Sequence, residues 1–179
     1  MAKGKQKGSR RAARRRGQVQ WFVAIAGAVA LAGVGLYWLW PQAWAQPGQF
    51  FPSLGNLHLA TADTPHIPYN TDPPTSGPHL PYIAPWGIHT VPIPKELQVH
   101  NLEDGGVLVQ YNCECPDLVA KLRPIVERYK DHVVLAPYPP MKPKIALTAW
   151  SRIDAFDDFD ERRIVRFIEA YRGIDHHAR

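Results

Sequence analysis

Val99-His100-Asn101-Leu102-Glu103-Asp104-Gly105-Gly106-Val107-Leu108-Val109-Gln110-Tyr111-Asn112 is the stretch on which the reading of the fold turns. Val107, Val109 and Tyr111 alternate with their neighbours at period two, the spacing of a strand with one face buried. Val99 to Asn112 thus reads as a first strand, a Gly105-Gly106 break and this second strand. Downstream, Leu118, Leu122, Ile125, Val126 and Tyr129 recur at helical spacing behind Pro116, a residue suited to a first turn. Asp117 near the start and Lys130 near the end complement the helix dipole. Pro124 lacks an amide donor and is expected to kink or divide that helix. Val133 to Ala136 and Lys144 to Trp150 read as two further strands. Asp160 then opens a last helix with Ile164, Val165, Phe167, Ile168 and Tyr171 on its apolar side, ended by Gly173. The order ββαββα predicts a small α+β domain with a largely antiparallel sheet and two helices.

Upstream of that core, His66 to Pro94 carries eight prolines, and Pro65 stands just before it. Proline forbids long regular elements, so a shaped loop region is expected. Tyr69, Tyr82, Ile83, Trp86, Ile88, Val91 and Ile93 give it apolar surface that disordered segments lack, and the expectation is an ordered wrap around the core. Residues 41–65, rich in Pro, Gly, Gln and Ala, read as a spacer. Residues 66–173 form the one domain, and 174–179 a flexible tail.

The N-terminus has a different character. An uncharged apolar run from Val19 to Trp40 follows eight basic residues, and at 1.5 Å per residue it spans roughly 30 Å. The run has no polar face at 3.6-residue spacing, which excludes an ordinary amphipathic helix. Ala43-Trp44-Ala45 resembles a signal-peptidase site, but the run is longer than a signal h-region, so an uncleaved transmembrane helix over 19–40 is the expectation. Trp21 at one end and Tyr37, Trp38 and Trp40 at the other suit the two headgroup levels. The basic tail, 1–18, would stay cytoplasmic, which places the α+β domain in the periplasm or cell exterior.

The net charge of +5 is an uneven quantity. All acidic residues lie at Asp63 or beyond, so outside the tail acid exceeds base. That argues against nucleic acid as a partner and for membrane lipid as what the tail meets.

Tyr69-Asn70-Thr71-Asp72-Pro73-Pro74-Thr75-Ser76-Gly77-Pro78-His79 and His100-Asn101-Leu102-Glu103-Asp104-Gly105-Gly106-Val107 carry a further signal. With Ala136-Pro137-Tyr138-Pro139, Ala149-Trp150 and Phe167 to Arg172, they closely resemble the bacterial family called domain of unknown function 3105. The resemblance covers about His66 to Arg172. It implies the same plan, a single N-terminal membrane segment followed by one exterior domain, and it implies no activity. The family pattern continues as H-x-L-E-H-G, whereas this chain has Asp104 at the second histidine position. Cys113 and Cys115 are a further departure from many relatives.

Residue types in these segments suit a transition metal. His79, His100 and Asp104 are the core candidate ligands, with His66, His89, Cys113 and Cys115 as further candidates. Imidazole suits zinc and copper, thiolate suits copper(I) or zinc, and a carboxylate completes a zinc tetrahedron, so copper or zinc is the expected cofactor. No C-x-x-C or H-x-x-x-H spacing is present. Glu103 beside His100 reads either as an orienting carboxylate or as a solvated strand end.

Cys113 and Cys115 leave three readings open: a redox-active or metal-binding dithiol, a strained structural bridge, and intermolecular pairing. A helix beginning at Pro116 would lower their thiol pKa, the basis of a thiol redox alternative. Ser76, His79 and Asp72 contain the letters of a hydrolytic triad but no nucleophile elbow. Asp154, Asp157, Asp158, Asp160 and Glu161 lack calcium-loop spacing and read as a solvated loop and helix cap. His176 and His177 read as tail with incidental metal affinity. A final alternative is an interaction module of an envelope complex, with exposed Tyr82, Trp86 and Tyr138 as anchors for a protein partner. Whether the domain is an enzyme is left open by these residues.

Overall fold

The computed structural model describes Trp21, Ile25, residues 27–35, Tyr37 and residues 45–177. The chain divides into two compact units, Met1–Ala45 and Gln46–Arg179. In the first, residues 27–35 are helical. Much of the expected membrane span, 19–40, lies outside the described residues, and among the described residues no helix is long and apolar enough to cross a membrane.

The second unit is built on a six-stranded sheet. Its strands are β1 (Gln49–Phe50), β2 (Gly87–Ile88), β3 (Val107–Tyr111), β4 (Val133–Pro137), β5 (Ile145–Ala149) and β6 (Arg152–Phe156), in the spatial order β1-β6-β5-β3-β4-β2. The helices of this unit are α1 (Lys95–Glu103), α2 (Pro116–Val126) and α3 (Glu161–Tyr171).

The class is α+β, and two finer expectations are corrected. The sheet is mixed, not largely antiparallel, because β4 lies parallel to both β3 and β2 while the pairs β1–β6, β6–β5 and β5–β3 are antiparallel. The parallel pair is the β3-α2-β4 unit, in which the helix carries the chain back to the starting edge. The segment Val99 to Glu103, read as a strand, is the C-terminal half of α1. From Gln98 to Glu103 every residue of α1 is buried, so no polar stripe marks the helical period. Pro94 at its N-cap and Glu96 in the first turn are the start signal that was there to be read.

Both faces of the sheet are covered. Val107, Val109, Val133, Leu135, Ile145, Leu147 and Ala149 point to α2 and α3, meeting Leu122, Ile125, Ile164, Phe167 and Ile168. The alternate residues Leu108, Val134 and Ala136 point the other way, to Leu102 of α1 and to Ala84 and Ile93 of the proline-rich loops. Period two thus distributes one strand between two cores. Burial of a side chain such as Phe167 or Ile168 is worth about 1.5–3 kcal/mol each. The loops do wrap the core as expected. Pro124 lies inside α2, which runs through it and ends two residues later at Val126.

Residues 46–65, read as part of a spacer, belong to this unit. β1 pairs with β6, the Tyr171 hydroxyl donates to the carbonyl of Pro47 (2.5 Å), and Leu59 is buried. The acidic stretch is also more structured than expected. Asp154 lies in β6 and holds Arg163 through two contacts (2.5 and 2.8 Å), and Asp160 caps α3 by accepting the amide of Arg163.

Candidate metal centre

The C-terminal end of α1 presents His100, Glu103 and Asp104 at i, i+3 and i+4, which brings them to one side of the helix. His79 arrives from the Pro-Pro-Thr-Ser-Gly-Pro-His turn. There Gly77 takes φ of 121°, a conformation open to glycine. Thr75 and Ser76 are buried and used locally: Ser76 Oγ accepts the Leu54 amide (3.1 Å) and the Thr75 carbonyl accepts the Ser151 amide (2.9 Å). His58 lies alongside through a parallel bridge, with the Leu59 amide donating to the His79 carbonyl (2.7 Å) and the His79 amide to that of Leu57 (2.9 Å).

The result is a carboxylate ringed by imidazoles. Oε2 of Glu103 lies 2.9 Å from Nε2 of His79, 3.4 Å from Nε2 of His177, 3.6 Å from Nε2 of His58 and 3.8 Å from Nδ1 of His100. The Glu103 and His79 side chains are wholly buried, whereas His58 is 45% exposed and gives the cluster its opening. Oε1 of Glu103 accepts the Asn56 amide at 2.8 Å. One donor atom from each of His58, His79, His100 and Glu103 lies within 4.8 Å of the others, and His100, Asp104 and His177 form an overlapping group.

Protonation sharpens this arrangement. Nδ1 of His79 meets the carbonyl of Gly77 at 2.7 Å, and since a carbonyl only accepts, that nitrogen carries the proton. In the neutral ring the Nε2 lone pair then faces the Glu103 oxygen, an arrangement that needs a cation between them, proton or metal. A backbone carbonyl holding the far nitrogen is the usual support of a metal-bound histidine. Burial holds the His100 imidazole below its ordinary pKa against the pull of Asp104, which favours the neutral ring with one nitrogen lone pair free, and its buried Nδ1 has no hydrogen-bond partner. Burial pushes the Glu103 carboxyl up, but the Asn56 amide and His79 outweigh it and hold the group below the usual range. Asp175, hydrogen-bonded to Nδ1 of His177 (2.8 Å), raises that imidazole's pKa and aims Nε2 inward.

Of the residues expected as ligands, His79, His100 and Asp104 are brought to this place. His66 and His89 are not: His66 donates through Nδ1 to the Ile67 carbonyl and faces Glu96 (3.6 Å), and His89 donates through Nε2 to that of Pro85. Cys113 and Cys115 are joined to each other in a disulfide at the start of α2 and have no thiolate to give a metal. The sequence reading left out His58, assigned to the spacer, and His177, assigned to a flexible tail. The tail is docked: Gly173 donates to the Gly105 carbonyl (2.7 Å), His176 donates to that of Glu103 (2.8 Å), and the His176 ring stacks on Trp150. No local pattern announces either residue, because each is delivered by backbone pairing to a distant segment.

The remaining side chains have other duties. Asp72 is held by Lys95 (2.8 Å) and by the Tyr138 hydroxyl, so it forms no triad with Ser76 and His79. Tyr138 is buried and Trp86 stacks on His132, which leaves Tyr82 as the exposed aromatic among the three expected interface anchors.

No curated protein and no solved structure is significantly similar to this chain. A family model described as a protein of unknown function, DUF3105, matches residues 61–178, a span that includes His79, His100, Glu103, Asp104 and His177 and begins just after His58. The match extends over more than half of the sequence and nearly all of the sheet-bearing unit, and the chain therefore belongs to the DUF3105 family.

Proposed function

We propose that this protein binds a divalent transition-metal ion, zinc or copper, between His58, His79, His100 and Glu103. The observation that carries the reading is the His79 ring, pinned at Nδ1 by a carbonyl and facing a buried carboxylate with Nε2. A tetrahedral ion with bonds of about 2.0–2.1 Å sets its ligand atoms about 3.3 Å apart. The distances from Glu103 Oε2 to the three imidazoles, 2.9, 3.6 and 3.8 Å, bracket that value. Three nitrogens and one carboxylate oxygen suit zinc or copper(II), and the lack of a thiolate disfavours copper(I). The ion would also neutralise a buried carboxylate, whose isolation in a protein interior is costly.

The test is elemental mass spectrometry on the full-length chain, purified in mild detergent without a histidine tag. At least about one zinc or copper per chain is expected, abolished by His79→Ala with His100→Ala while the fold persists. Full uptake by that double variant sinks the reading.

The basic tail and the apolar run at 19–40 support a membrane anchor with the metal-binding unit outside the cytoplasm. Protease digestion of intact cells, sparing a cytoplasmic marker, should remove the unit. Its survival until the cells are lysed would contradict that topology.

A further inference from the structure

His100 stands between two groups of donors, and its two ring nitrogens face different carboxylates. Nδ1 is 3.8 Å from Oε2 of Glu103, on the side of His58 and His79. Nε2 is 3.7 Å from Oδ1 of Asp104, and Nε2 of His177 lies 3.6 Å from the same Asp104 oxygen and 3.4 Å from Oε2 of Glu103, at the junction of the two groups. The two ring nitrogens of one imidazole point apart in the plane of the ring and do not meet at a single ion. Whichever nitrogen serves the first ion, the other remains aimed at the second group.

We propose that the site holds a pair of divalent ions, zinc or copper, bridged by His100. This rests on the metal-binding reading above and extends it. The first ion has His58, His79, His100 Nδ1 and Glu103. The second has His100 Nε2, Asp104 and His177, three protein ligands that leave a position for water or a small anion, as open sites do. When the second ion binds, the proton on the bridging ring leaves to solvent and both nitrogens give a lone pair. Charge then balances: Glu103, Asp104, Asp175 and the bridging imidazolate supply four negative charges to two divalent ions. Asp175 takes part through its hydrogen bond to Nδ1 of His177, holding the ring with Nε2 inward.

The structure delivers His177 to this second half on the docked C-terminal arm. The arm after α3 is fastened by three backbone bonds, from Gly173 to Gly105, from Ile174 to Tyr171 and from His176 to Glu103. The last of these fixes the arm to the residue that supplies the first ion's carboxylate.

The experiment is a copper(II) titration of the full-length chain in detergent, followed by native mass spectrometry and electron paramagnetic resonance. The expected result is about two ions per chain, with the signal of the first copper lost as the second binds, because spins coupled through an imidazolate cancel. Asp104→Asn and His177→Ala should each return the chain to about one uncoupled ion. His177 lies beyond the last helix, so its variant leaves the core intact. One ion in the wild-type chain, or two whose signals simply add, overturns the pair and leaves the metal-binding reading standing. A second ion retained in both variants also overturns it. No ion in the folded wild-type protein overturns both.

Discussion

Nε2 of His79 lies 2.9 Å from Oε2 of Glu103, while the opposite nitrogen of the same ring is already committed to the Gly77 carbonyl at 2.7 Å. The contact joins a proline-rich turn to the end of a helix, 24 residues apart in the chain. Removing the charge from one partner and keeping its shape is therefore an informative substitution. Glu103→Gln should weaken zinc or copper affinity by more than about tenfold, read by competition with a chromophoric chelator. Cys113→Ser with Cys115→Ser should leave uptake unchanged, since neither sulfur reaches the cluster. Loss of metal in the cysteine variant alone would relocate the site.

Proton competition gives a second test. A metal takes the neutral imidazole, so affinity should fall as pH drops through the histidine range, about 6.5 and below. His100, held low by burial, resists protonation to more acidic pH, while His177, raised by Asp175, yields first. Chelator competition across pH 5 to 8 should show tighter binding at the alkaline end. A flat profile would mean that imidazoles are not the ligands.

Gly105 is where the C-terminal arm rests. Its φ is 78°, and a Cβ there would lie 2.6 Å from the Ile174 amide nitrogen and 2.8 Å from the Gly173 carbonyl carbon. Gly105→Ala should therefore cost about 1–3 kcal/mol and lift the arm. Hydrogen exchange should speed up at residues 173–177 well before it does in β3. Unchanged exchange there would show that the arm is not held at Gly105.

Phe167 is wholly buried between α3 and the sheet, in edge contact with Tyr171. Phe167→Ala should destabilise the domain by about 3–5 kcal/mol, measured as a lower urea midpoint at constant slope. A change below about 1 kcal/mol would mean that this face of the sheet is loosely packed.

Asp72, Lys95 and Tyr138 form a polar clamp between the proline-rich loops, α1 and the loop after β4. Burial pushes the Asp72 carboxyl up, but hydrogen bonds from Lys95 and Tyr138 outweigh it and bring it below 3.8. A carboxyl whose folded pKa is depressed stabilises the fold above its unfolded pKa, and that share is lost as pH falls through the folded value. Stability should thus decline below about pH 4 more steeply in the native chain than in Asp72→Asn. The Tyr138 hydroxyl, pushed up to about 12 by burial and then by Asp72, should ionise late in a spectroscopic titration. Equal acid sensitivity in both chains would remove Asp72 from the clamp.

Much of the sheet was legible as short apolar runs. Val107 to Tyr111, Val133 to Pro137 and Ile145 to Ala149 are buried almost end to end, as strands covered on both faces are. The helix from Glu161 declares itself through Asp160 and a strong apolar face. β6 was missed since the two-residue link Trp150-Ser151 lacks the glycine or asparagine that marks such hairpins, although Ser151 adopts φ of 60°. α1 was mistaken for a strand because its polar residues are buried with partners. Asn101 bonds both backbone groups of Ala84, and Gln98 bonds the Ile93 carbonyl and Gln110. Burial on all sides erases the amphipathic signal on which a helical reading depends.

The candidate ligands divide along the same line. His79, His100 and Asp104 stood out as chemically able residues in distinctive motifs, because side-chain chemistry and local turn preference are properties of the chain. Their convergence on Glu103 and the recruitment of His58 and His177 came from long-range packing, whereas His66, His89 and the two cysteines are engaged by near neighbours in the chain. Residues 58, 79, 103 and 177 meet only once a parallel bridge, a buried helix and a docked C-terminal arm are in place. Those contacts are decided by backbone pairing and burial across the whole unit, which no short window of sequence contains.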